Sequence, residues 1–261
     1  MSSETIKVLD RALAVLREFA MRPSGYTAPE LSEHLSMSKT TTRRFLHSLS
    51  NGGFLDYDAE RQRYTLGMLI LGLSTGFSRQ TSLTVAVQPV LESLQVKSCE
   101  TASLWLRVRQ DAMCLSSEES SRYIRAVSPI GRSVPLYAGC HGKQLLAGLN
   151  DDELDEYFST TDFAPLTTST LTSRAALEEE IAQIRSDGYA ISQGEVNIDG
   201  AGVAAPILSP QGKMIACLSI TAPSHRVDEE RLQAFVSLIR CASTDAARRV
   251  FGPAPGQDSP G

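Results

Sequence analysis

TAPELSEHL at residues 27–35 and MSKTTTRRFL at residues 37–46 are the two stretches that decide the fold of the first part of this chain. Leu31 and Leu35 stand four residues apart in the first stretch, and the apolar residues of the second repeat at similar helical intervals. Each stretch therefore carries one apolar stripe. The pattern predicts two short helices joined by a tight turn.

The neighbouring residues complete a known kind of unit. Residues 8–19 carry a broad apolar face that predicts a preceding helix. The sequence NGG at 51–53 ends the second helix of the pair, since glycine readily takes the left-handed conformation found at helix ends. Residues 53–55 and 61–64 then predict a small hairpin. Residues 1–66 are therefore predicted to form a winged helix-turn-helix, which offers one exposed helix to the major groove of DNA.

Charge supports DNA as the partner of this unit. No Asp or Glu occurs from His34 to Leu55, whereas three basic residues do. Residues 1–66 carry 9 Lys and Arg against 8 Asp and Glu, so the positive charge is local rather than general. Two further arginines stand two positions apart on the predicted wing strand, so both would point to one side. The predicted DNA contacts are Lys39, Thr40, Thr41, Arg43, Arg44, Arg61 and Arg63. The alternative is a solvated face in a small helical domain.

Composition places the chain among ordinary globular proteins. Its 261 residues, 42% hydrophobic and 21% charged, suit one small and one medium domain. Residues 67–261 carry 16 Lys and Arg against 22 Asp and Glu, an acidic body that should not adhere to DNA. The five cysteines are odd in number and form no C-x-x-C pair, which argues against a disulfide framework or structural zinc. We expect a cytoplasmic protein with no signal peptide, metal, cofactor or membrane span.

Residues 67–82 are predicted to form a linker helix, because positions 66, 69, 70 and 73 are apolar. The apolar side needs a partner, either a second copy of the chain or the larger domain. A twofold dimer would place two recognition helices about one DNA turn apart. The larger domain, 83–251, is predicted to be α+β, and 252–261 a disordered tail. The predicted elements of the larger domain are a helix near 83–94, strands 101–108 and 112–118, helices from 142 and over 173–187, strands 189–192, 202–208 and 213–221, and a helix over 228–250.

Two segments of the larger domain are candidate ligand sites. In the strand containing residues 215–221, Cys217, Ser219 and Thr221 alternate onto one face and could line a polar pocket. Residues 137–143 enter a helix, whose free N–H groups suit a carboxylate. Solvated or edge positions are the alternative for the strand. A rival function is a hydrolase with Cys140 as nucleophile beside His141, although no third catalytic member is evident.

Further motifs carry a family resemblance. They are Thr40–Thr41 with Arg44–Phe45–Leu46, Tyr64–Gly67, Gly131–Arg132 with Pro135–Leu136 and Gly142–Lys143, Gly188–Ala190 with Gly194–Glu195, and Ala204–Ile207. With them the chain resembles the IclR family of bacterial transcriptional regulators over about residues 5–250. The resemblance implies a winged helix-turn-helix, a linker helix and a C-terminal GAF/profilin-like effector-binding domain. It also implies a homodimer or homotetramer, repressor or activator, that binds a palindromic operator and senses a small organic acid or aromatic compound. A protein-binding signalling adaptor is a third reading.

The resemblance also implies an effector pocket. Its residues fall on Val134, Cys140, His141, Ser192, Gly202, Ser219 and Thr221. This chain departs from the family at Cys140 and His141, where small or aliphatic residues are more usual. His141 could bind an acidic effector or be a surface histidine at a helix start. Arg132 is expected to pair with a carboxylate, and Trp105 to lie in a core or interface.

Overall fold

The computed structural model describes residues 6–22, 24–75 and 78–252, which divide near residues 79 and 80 into two compact units. Apart from Gly252, the predicted tail lies outside the described residues. Within the described ranges, every helix is too short or too polar to span a lipid bilayer.

The first unit is a winged helix-turn-helix. Its helices and strands are α1 (Lys7–Met21), α2 (Ala28–His34), α3 (Lys39–Asn51), β1 (Leu55–Asp58) and β2 (Arg63–Leu66). Thr27 and Glu30 form a reciprocal capping box at the start of α2, and the Ser38 hydroxyl accepts the Thr41 N–H at the start of α3. A small core of Val15, Phe19, Leu31, Leu46 and Leu55 holds the elements together.

The wing differs from the predicted hairpin in one respect. Strands β1 and β2 pair antiparallel, with Asp58 opposite Arg63. Arg61 lies in the turn between them, so the prediction that Arg61 and Arg63 share one strand is wrong. The Asp58 carboxylate accepts the N–H groups of Glu60 and Arg61, which fixes this tighter turn.

Two helices cover the stretch predicted as one linker. They are α4 (Met68–Thr75) and α5 (Ser78–Ser98), and residues 76–77 lie outside the described ranges. The described side chains of α4 are largely exposed, with Met68 at 73% and Leu71 at 59%. Helix α5 also contains the helix predicted near 83–94.

The second unit is built on one antiparallel sheet. Six strands pair in the order β5-β4-β3-β8-β7-β6. Their bounds are Thr101–Val108 (β3), Asp111–Glu118 (β4), Ser133–Pro135 (β5), Ala190–Gln193 (β6), Gly200–Leu208 (β7) and Met214–Pro223 (β8). The helices are α5, α6 (Gly139–Ala147), α7 (Asp151–Thr160), α8 (Arg174–Asp187) and α9 (Glu229–Phe251), with a 3₁₀ turn at Ser224–Arg226.

Strand β8 separates two cores, as its alternation predicts. Ala216, Leu218 and Ile220 pack in a core with residues of α5 and α9. Cys217 packs on the other face with residues of α6, α7 and α8. Because helices cover both faces, Cys217 and Ser219 are fully buried, and the solvated alternative for Ser219 is wrong.

Two elements of this unit were absent from the sequence prediction. Strand β5 has only three residues, too few for a period-two pattern to be visible. The start of helix α7 could have been recognised in the sequence, because Asn150 and Glu153 form a capping box and the first turn of the helix is acidic. Helix α6 begins at Gly139, three residues before the predicted start at 142.

Candidate nucleic-acid interface and ligand cavity

One face of α3 is packed and the other is open. Thr42 and Leu46 are fully buried. Exposed polar side chains recur on the opposite face at positions 40, 43, 44 and 47. This exposed face comprises Thr40, Arg43, Arg44 and His47, with Lys39 exposed at the start of the helix.

The basic side chains of this face have no acidic partner among the described residues. Lys39, Arg43 and Arg44 make no ion pair there, in contrast to Arg22 and Arg63, which lie beside Glu30. The face is therefore available to an external anion. His47 was not predicted, although its place four residues after Arg43 is a signal that helical spacing provides.

Thr41 differs from its exposed neighbours. It is half-buried, and its hydroxyl lies 2.8 Å from the Ser38 hydroxyl that caps the helix. Its interactions within the chain therefore stabilise the start of α3.

The two wing arginines have different surroundings. Arg61 is 81% exposed and lies 3.8 Å from Asp58. Arg63 is 24% exposed, donates to the Gly25 carbonyl at 2.6 Å and to the Glu30 carboxylate at 3.0 Å. The Thr27 N–H and then Arg63 lower the pKa of Glu30. Arg63 thus ties the wing to α2, and Arg61 stands at its tip.

A cavity of about 690 Å³ opens in the second unit. Six of the seven predicted effector residues line it: Val134, Cys140, His141, Ser192, Gly202 and Thr221. The structure does not place Ser219 on its wall, because the fully buried Ser219 hydroxyl accepts the indole N–H of Trp105 at 3.0 Å. Trp105 belongs to the core, as predicted, and also lines the cavity.

Gly202 is required where the strand meets α6. A Cβ at this position would lie 2.6 Å from the Ile220 carbonyl oxygen and 3.2 Å from the Cys140 sulfur. The close approach of β7 to its neighbours therefore excludes a side chain there.

His141 is a buried, neutral group. Its side chain stacks on Trp105 with ring centres 3.8 Å apart, and the residue is 6% exposed. Burial, and next the charge of Arg132, lower the pKa of His141 to about 3. The surface alternative is therefore wrong, and the ring carries no charge for an ion pair near neutral pH. Its Nε2 atom has no hydrogen-bond partner within the described structure.

Cys140 lacks the features of a catalytic thiol. Its sulfur lies 3.9 Å from His141 Nδ1, and burial, followed by the charge of Glu195, raises its pKa to about 12. The thiolate, which is the nucleophile, is therefore scarce at neutral pH. In the described part of the chain, no three His, Cys, Asp or Glu side chains are grouped to hold a metal ion.

The start of α6 already has an anion. The N–H of Gly139 donates to the Glu195 carboxylate at 3.0 Å, so this N–H of the helix start is not free for a ligand. Glu195 also accepts from Lys143 at 2.7 Å, and Lys143 reaches Glu180 at 2.5 Å. This buried carboxylate–lysine network fixes the helix that carries Cys140 and His141.

Arg132 contradicts its prediction. Among the described residues its side chain has no carboxylate partner, and the one hydrogen bond of its guanidinium reaches the Val127 carbonyl at 3.4 Å. Gly131 before it has a φ of +84°, in the left-handed region that glycine adopts without strain, so the backbone can turn sharply here. The turn places Arg132 on the cavity wall, a role that the sequence did not reveal.

Neutral His141 has a consequence for stability. Because its folded pKa lies below the unfolded value of about 6.5, the unfolded chain binds the extra proton between pH 6.5 and 3. Stability should fall as pH decreases through this window, with His141 costing about 2 kcal/mol at pH 5. Urea unfolding of the wild type and of His141→Gln across pH 5–8 measures this loss of stability. A pH-independent difference between the two proteins would contradict the assignment.

Comparison with known proteins identifies both units. The IclR helix-turn-helix domain model matches residues 8–59, and the model for the C-terminal domain of the bacterial transcriptional regulator IclR matches residues 77–248. The regulator BhcR of Paracoccus denitrificans is 32% identical over 255 residues, covering 97% of this chain and 90% of that protein.

Solved structures share the fold. A regulator from Rhodococcus sp. RHA1 is 31% identical with a TM-score of 0.74, covering 94% of this chain and 98% of that one. An IclR homolog from Microbacterium hydrocarbonoxydans, complexed with 4-hydroxybenzoate, is 22% identical with a TM-score of 0.77, covering 93% of this chain and 98% of that one. The latter likeness concerns the fold alone.

Proposed function

This chain belongs to the IclR family of bacterial transcriptional regulators, and from that premise we propose that it binds a palindromic operator as a homodimer or homotetramer. Members of this family are regulators of transcription and not enzymes. The observation that carries the proposal is the open basic face of α3, whose Lys39, Arg43 and Arg44 have no acidic partner among the described residues. We expect the protein to act in the cytoplasm, where its DNA lies.

Helix α3 is proposed to enter the major groove. Arg43 and Arg44 are long enough to reach base edges or phosphates, with Lys39 and Thr40 at the helix start. Phosphate contacts set the register of the protein, and base contacts set its sequence preference. Arg61 at the wing tip would meet the DNA backbone. Arg63 and Thr41 are better suited to hold the wing and the helix in place.

Exposed apolar side chains support self-association. Leu9 and Leu13 on α1 are 53% and 44% exposed, and Met68, Leu71 and Leu73 on α4 are similarly open. A second copy of the chain would cover such surfaces and present two recognition helices with twofold symmetry. Palindromic operators match this symmetry.

The cavity of the second unit is proposed to hold the effector. Its lining is largely apolar with a few polar groups, and two of its residues carry buried polar atoms that have no hydrogen-bond partner in the described part of the chain, His141 Nε2 and Thr221 Oγ1. A small organic acid or aromatic compound suits it, and the Microbacterium hydrocarbonoxydans relative carries 4-hydroxybenzoate. The effector can change operator affinity only by binding one arrangement of the oligomer more tightly than another.

DNA binding can be tested with charge-removing variants. Selection from random duplexes gives an operator, whose symmetry tests the palindrome directly. Arg43→Ala and Arg44→Ala should each weaken binding to it by about 1–3 kcal/mol in gel shifts at fixed salt. A phosphate contact would also reduce the salt slope by about one.

Arg240→Ala provides the matched control, because it removes one exposed arginine from α9 in the second unit. We expect operator affinity near that of wild type for this control. Unchanged affinity in both α3 variants would refute the proposed interface. Binding that is insensitive to salt and sequence would favour the protein-binding adaptor instead.

A further inference from the structure

We propose that the cavity selects monoanions whose opposite end is an uncharged oxygen-bearing group, and that Arg132 is the residue that binds the anionic end. This inference rests on the effector role proposed above and specifies which acids the site accepts. We expect such a cavity to bind monocarboxylates more tightly than dicarboxylates or uncharged analogues.

Arg132 is suited to bind an anion because its guanidinium has no carboxylate partner among the described residues. Besides the buried Cys140 and His141, four charged or titratable side chains line the cavity: Arg125, Arg132, Asp199 and His225. Arg125 donates to Glu119 at 2.8 Å and is thereby engaged. Within the described structure the guanidinium of Arg132 makes only its 3.4 Å hydrogen bond to the Val127 carbonyl, which is longer than an ordinary N–H to oxygen bond. A guanidinium offers a carboxylate two parallel donors, a better partner than one distant carbonyl.

The inner part of the cavity is suited to an uncharged polar group. His141 Nε2 and Thr221 Oγ1 are both buried without a partner in the described structure. Leaving such groups unpaired is costly, and a ligand hydroxyl or carbonyl can satisfy them. Trp105 and Val134, at 1% and 5% exposed, form an apolar surround in which a second charge would be desolvated.

A second carboxylate would find no unpaired guanidinium among the described residues of the cavity, because Arg125 is already paired with Glu119. His141 is neutral, because burial lowers its pKa to about 3. Exposed Asp199 also lines the cavity and would repel a further negative charge. His225, the remaining titratable group, is exposed, where water already solvates it. One anion and one neutral oxygen are what these side chains can bind together.

The test uses the full chain and its one tryptophan, Trp105, as a fluorescent reporter of cavity binding. Three probes of matched size are titrated: 4-hydroxybenzoate, its uncharged amide 4-hydroxybenzamide, and the dicarboxylate terephthalate. We expect 4-hydroxybenzoate to bind at least about 10-fold more tightly than either of the others, the ratio expected for one charge-assisted hydrogen-bonded pair.

Arg132→Gln should reduce 4-hydroxybenzoate affinity by about 10- to 100-fold and change amide affinity by less than about threefold. Arg240→Gln is the matched control, because it removes an exposed arginine of α9 that does not line the cavity, and it should leave the acid-to-amide ratio unchanged. His141→Phe can still stack on Trp105 but lacks ring nitrogens. It should reduce the preference for 4-hydroxybenzoate over benzoate, which is titrated as a fourth probe that lacks the hydroxyl group.

Three results would overturn the inference. Terephthalate could bind as tightly as 4-hydroxybenzoate, Arg132→Gln could weaken acid and amide equally, or millimolar 4-hydroxybenzoate could leave Trp105 fluorescence unchanged. Operator binding is measured separately without any effector. Failure of the ligand assignment is therefore distinguishable from failure of the DNA-binding function.

Discussion

Lys143→Met should lower the free energy of unfolding of the second unit by about 3–5 kcal/mol, the usual cost of removing one partner from a buried ion pair. Lys143 is 3% exposed, and its ammonium group lies between the carboxylates of Glu195 and Glu180 at 2.7 and 2.5 Å. Without it, Glu195 would remain buried at the start of α6 with its charge uncompensated. Urea unfolding monitored by Trp105 fluorescence measures the loss.

A second substitution tests the cause of that loss. Adding Glu195→Gln to Lys143→Met removes the stranded charge, and the glutamine carbonyl can still accept the Gly139 N–H. The double variant should therefore be more stable than Lys143→Met alone. Lys97→Met, at an exposed position of α5, should change stability by less than about 0.5 kcal/mol. If Lys143→Met behaves like Lys97→Met, the buried network does not stabilise this unit.

This network shows why part of the site could not be predicted. Local patterns were sufficient for α3, because its cap and its apolar stripe lie within one short segment. The same holds for β8, whose alternation predicted which side chains face each core. Lys143 and Glu195, in contrast, are 52 positions apart, and no local period connects them. Their meeting depends on the sheet that brings α6 beside the segment after β6.

The cavity, too, could be predicted only in part. Six of the residues that the resemblance indicated line the cavity, because motif spacing transfers between proteins of one fold. The burial, protonation and hydrogen-bond partners of those residues could not be predicted from the resemblance. Whether His141 is buried and neutral depends on Trp105, a residue of another element, and whether Arg132 finds a carboxylate depends on how the turn at Gly131 directs it. Ser219 lies on the strand face predicted to line the pocket, but its hydroxyl accepts the indole N–H of Trp105. Trp105 lines the cavity in its stead.

Gly25→Ala should disrupt the first unit and with it operator binding. Gly25 has a φ of +72°, and an added Cβ would lie 1.9 Å from the Tyr64 carbonyl oxygen. That oxygen accepts the Tyr26 N–H at 3.0 Å, so the bridge that joins the wing to the segment before α2 would have to open. Arg63, which donates to the Gly25 carbonyl, would lose its anchor as well. The steric clash adds to the strain of a left-handed alanine, for a total cost of more than about 3 kcal/mol.

The matched control for this clash is Gly212→Ala. Gly212 has a φ of +77° with no atom within 4 Å of the added Cβ, so it should cost only the left-handed strain of about 1–2 kcal/mol. Hydrogen exchange over residues 24–66 should show protection lost in Gly25→Ala and retained in Gly212→Ala. Operator affinity should fall at least about 10-fold in the former alone. Wild-type affinity and protection in Gly25→Ala would mean that the position of the wing against α2 does not govern how α3 is presented to DNA.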